Sequence, residues 1–358
     1  VIARRLPWLE QTWSRLPPLA ARGVHAVLLH GVAGTGKKSL ALDFAAALLC
    51  AAPLPDGRDC GQCDECRLTA AFSHPDLRWV LPEALAERLL PAAEENGDAT
   101  AEATGSEAAE GENKPARASR EIRVEQIRAL SDFLGIAAFR GGHRAVLLAP
   151  AEAMNAVAAN TLLKMLEEPP PQTTFVLVSD ALDEVLPTIR SRCVLVQVPV
   201  PAAADCLPWL AQQGLADPEA ALALASGAPL AALAQADPAE AAPEAVAALY
   251  RLLERGPALT AAQIVAGIGR EPPVGAWLRR MQCWALDLLA YRARGAVRYH
   301  PRHSASIARL AAAVHESALW RWLDALKAAA AAREHPLNAR LVIESLLTGY
   351  LGIFHGRR

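Results

Sequence analysis

Gly31, Gly34, Gly36 and Lys37 sit in the run GVAGTGKKS, Gly31 to Ser39, directly after an apolar stretch and at the opening of a helical one. Glycines at this spacing let backbone N–H groups and a helix N-terminus face a phosphate, while the lysine reaches the terminal phosphates of a nucleotide. The next position of such a P-loop carries a hydroxyl that holds magnesium, and here it is Lys38. Ser39 comes one residue late and points about 100° away around the helix. The loop therefore reads as a P-loop by descent whose metal-holding step is damaged.

A hydrolase of this kind also needs carboxylates at the end of a neighbouring strand, one for magnesium and one to polarise water. The strand pattern His143 to Leu148 ends instead in Ala149 and Pro150, and the nearest carboxylate, Glu152, is expected at the surface. With hydroxyl, Asp and Glu all missing, the residues argue against ATP hydrolysis in this chain. They leave ATP binding open.

A second chemistry lies in Cys50, Cys60, Cys63 and Cys66, spaced C-x9-C-x2-C-x2-C. A thiolate knuckle with further thiolates a short loop away forms a tetrahedral S4 site for zinc. A polar loop this short gains its core from the metal. The competing readings are four unrelated thiols, or an iron–sulfur cluster, whose compact fourth ligand and following Pro are absent. Zinc is the expected ion, and its role structural, because four protein ligands leave no position open for catalysis.

The elements that must hold these residues are legible from apolar patterning. Short apolar runs at His25–Gly31, Asp76–Pro82, His143–Pro150, Thr173–Asp180 and Cys193–Pro199 alternate with helical segments such as Lys37–Leu49, Arg120–Leu134 and Ala153–Glu168. Continuous apolar strands alternating with helices predict a parallel sheet covered on both faces, an α/β domain. Residues 92–118 lack aromatic and large aliphatic side chains almost throughout and predict a disordered acidic insert. After Pro199 the strand signals stop, and helical periodicity runs to the end. The expected longer helices are Glu244–Leu253, Gly275–Tyr291, Ser304–Val314, Leu319–Ala332 and Asn338–Leu351.

The 358 residues are 53% hydrophobic and 21% charged, which fits two or three folded domains. Thirty-six basic against 38 acidic residues give a net charge of -2, so bulk positive charge does not hold nucleic acid here. Seven cysteines are too few for a disulfide scaffold in a chain of this length. Neither a signal peptide nor a membrane span is expected, and the predicted location is cytoplasmic.

In combination, GVHAVLLHGVAGTGK (Gly23 to Lys37), the cysteine knuckle, HPDLRWVLPE (His74 to Glu83), ANTLLKMLEEPPPQTTFVLVS (Ala159 to Ser179) and LPTIRSRC (Leu186 to Cys193) resemble the bacterial clamp loaders of the AAA+ class. The resemblance covers about Val1 to Val198, and more faintly HPLNARLVIESLL (His335 to Leu347). It implies an AAA+ α/β domain over 1–198 with the zinc knuckle at 50–66, a small helical lid over 199–243, and an all-α collar over 244–358 for oligomerisation. It implies partnership with the gamma/tau and delta subunits of DNA polymerase III, and with a sliding clamp and primed DNA through that complex. A hydrolysing gamma/tau-type subunit, the alternative, would keep an intact GK[ST], an acidic strand end and a sensor arginine where Leu230 stands. The residues side with a non-hydrolysing subunit.

The same resemblance assigns Arg192, in the SRC motif, as a finger that enters the ATP site of a neighbouring subunit. A guanidinium there stabilises charge on the transferred phosphoryl oxygens. The plain alternative for Arg192 is an internal salt bridge. Arg140, His143 and Arg144 are weaker candidates for contact with a DNA backbone, and Lys164 is the basic residue on a helix expected to line a ring interior. Trp277, Trp284, Trp320 and Trp322 suit a helical core.

Overall fold

Strands β1 Ala26–His30, β2 Leu77–Val80, β3 Arg144–Leu148, β4 Thr173–Ser179 and β5 Val194–Gln197 form one parallel sheet in the order β2-β3-β4-β1-β5. All five fall inside the apolar runs read from the sequence. The computed structural model describes residues 2–90, 118–139, 142–236, 243–269, 272–331 and 338–355. Most of the acidic insert expected at 92–118 lies outside the described residues, as does Arg140.

Burial follows position in the sheet. β3 and β4 are buried throughout and β1 nearly so, whereas the edge strands β2 and β5 expose alternate or successive residues. This is why the central strands read as unbroken aliphatic runs. The helices of this unit, Val1–Val200, are α1 Glu10–Trp13, α2 Leu16–Ala21, α3 Lys37–Leu49, α4 Asp64–Ala70, α5 Glu83–Leu89, α6 Val124–Gly135, α7 Ala156–Glu167 and α8 Pro187–Arg190. α3 carries ten buried residues on nearly every side, so it is a core element and not an amphipathic surface helix. α7 starts three residues later than the sequence pattern, because Asn155 caps it, accepting from the Ala158 amide at 2.9 Å. One apolar cluster joins Leu28, Val146, Phe175 and Leu177 of the sheet to Ile127 and Leu130 of α6 and Leu162 and Leu166 of α7.

The second unit, Pro201–Arg358, is helical wherever it has regular structure among the described residues. It begins with α9 Ala203–Gln212, α10 Pro218–Leu224 and α11 Pro229–Gln235. It continues with α12 Pro243–Arg255, α13 Ala261–Gly267, α14 Val274–Arg294, α15 Ser304–Ala313, α16 Glu316–Ala331 and α17 Ala339–His355. Trp277, Trp284 and Trp322 are buried in its core as expected; Trp320 is instead 47% exposed on the outer face of α16. Tyr350 donates to the Leu253 carbonyl at 2.6 Å and Trp322 to that of Leu346 at 2.8 Å, so these two rings are buried with their polar atoms satisfied. Asp287 is fully buried and accepts from the amides of Arg298, Tyr299 and His300, which fixes the turn after α14. None of the described helices is long and apolar enough to cross a membrane.

Candidate functional site

The P-loop hangs from the C-terminal end of β1 and feeds α3. Its glycines are required by space as well as by conformation. A Cβ at Gly31, where φ is 145°, would overlap the carbonyl oxygen of Val198, and one at Gly36, where φ is 103°, would lie 2.7 Å from Leu6 Cδ1. The N-terminal segment is packed directly on the loop, and Trp8 donates its indole N–H to the Thr35 carbonyl at 2.8 Å. Nothing in the sequence pattern announced that contact.

Lys37 is 2% exposed and its ammonium is fully engaged by the protein. It donates to the carbonyls of Gly31 at 2.8 Å and Val32 at 2.6 Å, and pairs with Asp180 Oδ1 at 2.6 Å. Three donors meet three acceptors, which is the full capacity of a lysine. Asp180 was not among the residues singled out from sequence. It follows β4 immediately, and the β1–β4 register, His30 opposite Ser179, delivers it to the P-loop.

Lys38 is half-buried, and burial lowers the pKa of its ammonium, with Lys37 pushing the same way and Asp180 and Glu152 opposing. Ser39, one residue further on, is buried at 1% exposure. A lysine thus stands where a magnesium-holding hydroxyl is needed. β3 ends in buried Ala149 followed by Pro150, with no carboxylate at the strand end. Glu152, expected at the surface, is a correction: its Oε1 accepts from the Asp180 amide at 2.9 Å and its Oε2 is buried. It braces the Asp180 turn.

The four cysteines converge. Their sulfurs all lie within 4.8 Å of one another, with 3.9 Å between Cys50 and Cys63, 3.8 Å between Cys60 and Cys66, 3.6 Å between Cys50 and Cys66, and 3.4 Å between Cys63 and Cys66. A tetrahedron with metal–sulfur bonds of about 2.3 Å has edges of about 3.8 Å, so the set fits a single ion. Amides of Gln62 and Cys63 donate to Cys60 Sγ and pull its thiol down to about 6. Burial pushes the Cys66 thiol up. Such a donor set holds a soft or borderline cation.

The knuckle is tied to its surroundings on two sides. Arg4 bridges Asp43 of α3 and Asp59 beside Cys60, both at 2.8 Å, and Arg5 also reaches Asp59. On the other side, His74 Nε2 lies 2.9 Å from Glu65 of α4 while its Nδ1 accepts from the Asp76 amide. The HPD run is thus a brace between the knuckle helix and β2.

Arg192 follows α8 and precedes β5. Its side chain is 35% exposed; one terminal nitrogen donates to the Thr188 carbonyl at 3.0 Å and Ser191 Oγ at 3.3 Å, and the other pairs with Glu167. Cys193 of the same motif points inward, and burial pushes its thiol up to about 12. Arg144 is a correction among the weaker candidates: it is 7% exposed and caps the carbonyls of Leu134 and Ile136 at 2.8 Å each. Its role there is structural. His143 is likewise taken up, 2.8 Å from Thr174 Oγ1, whereas Lys164 is exposed on α7.

A parallel sheet of this order with a P-loop after its first strand defines a P-loop α/β protein, here with Lys38, Ala149 and Pro150 where a hydrolase carries its hydroxyl and carboxylates. A family profile described as "DNA polymerase III, delta subunit" matches residues 19–202, about half of the 358 residues, and the chain belongs to that family. The DNA polymerase III subunit delta' of Pseudomonas aeruginosa is 41% identical over 230 residues, 63% of this chain and 60% of that protein. The subunit delta' of Escherichia coli K12 is 31% identical over 236 residues, 64% of this chain and 60% of its own length. The matched region therefore spans about three fifths of these relatives. A solved gamma subunit-related protein from Thermotoga maritima is 15% identical with a TM-score of 0.41, covering 96% of this chain and 99% of its own.

Proposed function

We propose that this chain is a non-hydrolysing delta-prime subunit of the DNA polymerase III clamp loader, which helps place a sliding clamp on primed DNA while neighbours turn over ATP. The observation that carries this reading is the state of the P-loop. Lys37 is satisfied inside the protein by Gly31, Val32 and Asp180, Lys38 replaces the magnesium-holding hydroxyl, and Ala149 and Pro150 replace the catalytic carboxylates. A gamma/tau-type ATPase needs each of those groups.

What the chain contributes to turnover is Arg192, lent in trans to the ATP site of an adjacent gamma/tau subunit. Its guanidinium stands at the surface after a short helix, within a motif shared with clamp loaders, which supports that role. The four-cysteine centre takes one structural zinc, which supplies a covalent core to the loop 50–66 and no chemistry. Residues 199–243 form a lid and 244–358 a collar that packs against the gamma/tau and delta subunits, in the cytoplasm. Clamp and DNA are met through the assembled complex.

The test is Arg192→Ala in a loader reconstituted with its partner subunits. Turnover at the site it serves should fall by roughly 10³-fold or more, as for other arginine fingers, read as lost DNA-stimulated ATPase with assembly intact. An unchanged rate would refute the assignment. Hydrolysis by the isolated chain, lost in Lys37→Ala, would favour the gamma/tau alternative.

A further inference from the structure

We propose that Glu167 is the latch of the arginine finger: it holds Arg192 against the parent subunit at rest and must let go before the guanidinium can engage a phosphate. This rests on the reading of Arg192 as a finger and adds to it a residue that governs when the finger is available.

The argument starts from the end of α7. Glu167 is its last residue and Glu168 its C-cap, and Pro169 and Pro170 follow, so two carboxylates are fixed at the negative pole of a helix. A helix C-terminus favours cations and disfavours carboxylates. Lys164, the basic residue of the last turn, is exposed to solvent. Arg192 meets the need: α8 packs beside α7, and the guanidinium folds back onto Glu167 Oε1.

The contacts also occupy both terminal nitrogens of the fork a phosphate would need. An arginine binds phosphate or carboxylate through paired N–H donors in a planar fork. Here one terminal nitrogen serves Thr188 and Ser191 and the other serves Glu167. A carboxylate left beside an incoming phosphate would repel it, so the pair must open for the finger to act. It is built to open: the two side chains are 35% and 48% exposed, and pairs of that exposure shift an equilibrium by only about two- to fivefold. Glu167 therefore sets the fraction of finger-competent chains, and apparent engagement scales with that fraction.

Glu167→Gln keeps the size of the side chain and removes its charge. In the full chain alone, phenylglyoxal should label Arg192, followed by peptide mass spectrometry, about two- to fivefold faster in the variant, at an unchanged melting temperature. In the reconstituted loader without DNA, ATPase should rise by a similar factor, and the rise should vanish in the Arg192→Ala background. Glu167→Asp should give an intermediate labelling rate. Equal labelling of variant and wild type would overturn the latch. So would a DNA-free rate at the wild-type level in Glu167→Gln while Arg192→Ala lowers turnover. An Arg192→Ala loader with undiminished ATPase would instead sink the finger reading itself, and the latch with it.

Discussion

Two cationic side chains singled out from the sequence as partners for phosphate have opposite fates in this molecule. Lys37 is buried, saturated by two carbonyls and a carboxylate, and roofed by the segment that carries Leu6 and Trp8. Arg192 lies at the surface, held by one exposed ion pair, a carbonyl and a hydroxyl. The first cation has become part of the fold, and losing it should cost stability. The second contributes little to the fold, and losing it should cost activity in a complex. Burial decides which kind of free energy a charge is connected to.

Removing the zinc proposed for the cysteine centre should give the largest effect on stability, and it tests the Lys37 side of that contrast. The cysteine centre is joined to α3 and the N-terminal segment through Arg4, Asp43 and Asp59. With zinc about a hundredfold above its dissociation constant, binding stabilises the fold by about 2.7 kcal/mol, or roughly 5–10 °C in a unit of this size. Chelation should lower the melting temperature by that amount. Amide exchange should then rise in residues 2–9 and 31–36 and stay unchanged in residues 187–192. Equal loosening of both regions would erase the distinction.

Asp180→Ala is next. It leaves the buried Lys37 ammonium without its ionic partner and should cost about 1–3 kcal/mol, read as a lower denaturant midpoint. ATPase of the assembled loader should stay at the wild-type rate. The reverse pattern, stability kept and turnover lost, would show that the P-loop still works on nucleotide.

The smallest effect is a pH dependence that belongs to the sheet and not to the finger. Burial lowers the pKa of His143, which stays neutral in the fold beside Thr174. The unfolded chain takes up a proton near pH 6.5 while the fold resists it. Stability from this group is therefore complete above about 6.5 and is lost as pH falls through that value towards the lower folded pKa. Between about pH 7.5 and 5.5 the melting temperature should drop by a degree or two, and by less in His143→Gln.

The sheet and most helices were legible because buried parallel strands and helices of three turns leave unbroken or periodic apolar patterns; Lys37–Leu49 matches residue for residue. α13 was missed: it is seven residues long and depends on a Thr260–Gln263 capping box more than on periodicity. In the site, Lys38 could be read because a P-loop fixes its place by local spacing, and Ala149 because it closes the apolar run of β3. Asp180 could not, since its arrival at Lys37 is a consequence of the β1–β4 register across about 140 residues of chain. Glu152 was misread for the same reason. Glu167, 25 positions before Arg192 in the sequence, is brought to it by the packing of α7 on α8.

The direction of the strands carries one last consequence. Val194, two residues past Arg192, lies opposite Val27 near the start of β1, whereas the P-loop leaves the other end of that strand after His30. In a parallel sheet the two features therefore sit on opposite rims, separated by the length of the ladder, on the order of 13–16 Å. An arginine side chain does not span that. A polypeptide whose Arg192 rim and P-loop rim face away from each other has a polarity, like a brick with different edges on its two sides. A heterologous contact, one rim against the opposite rim of a neighbour, is the geometry that such a polarity suits.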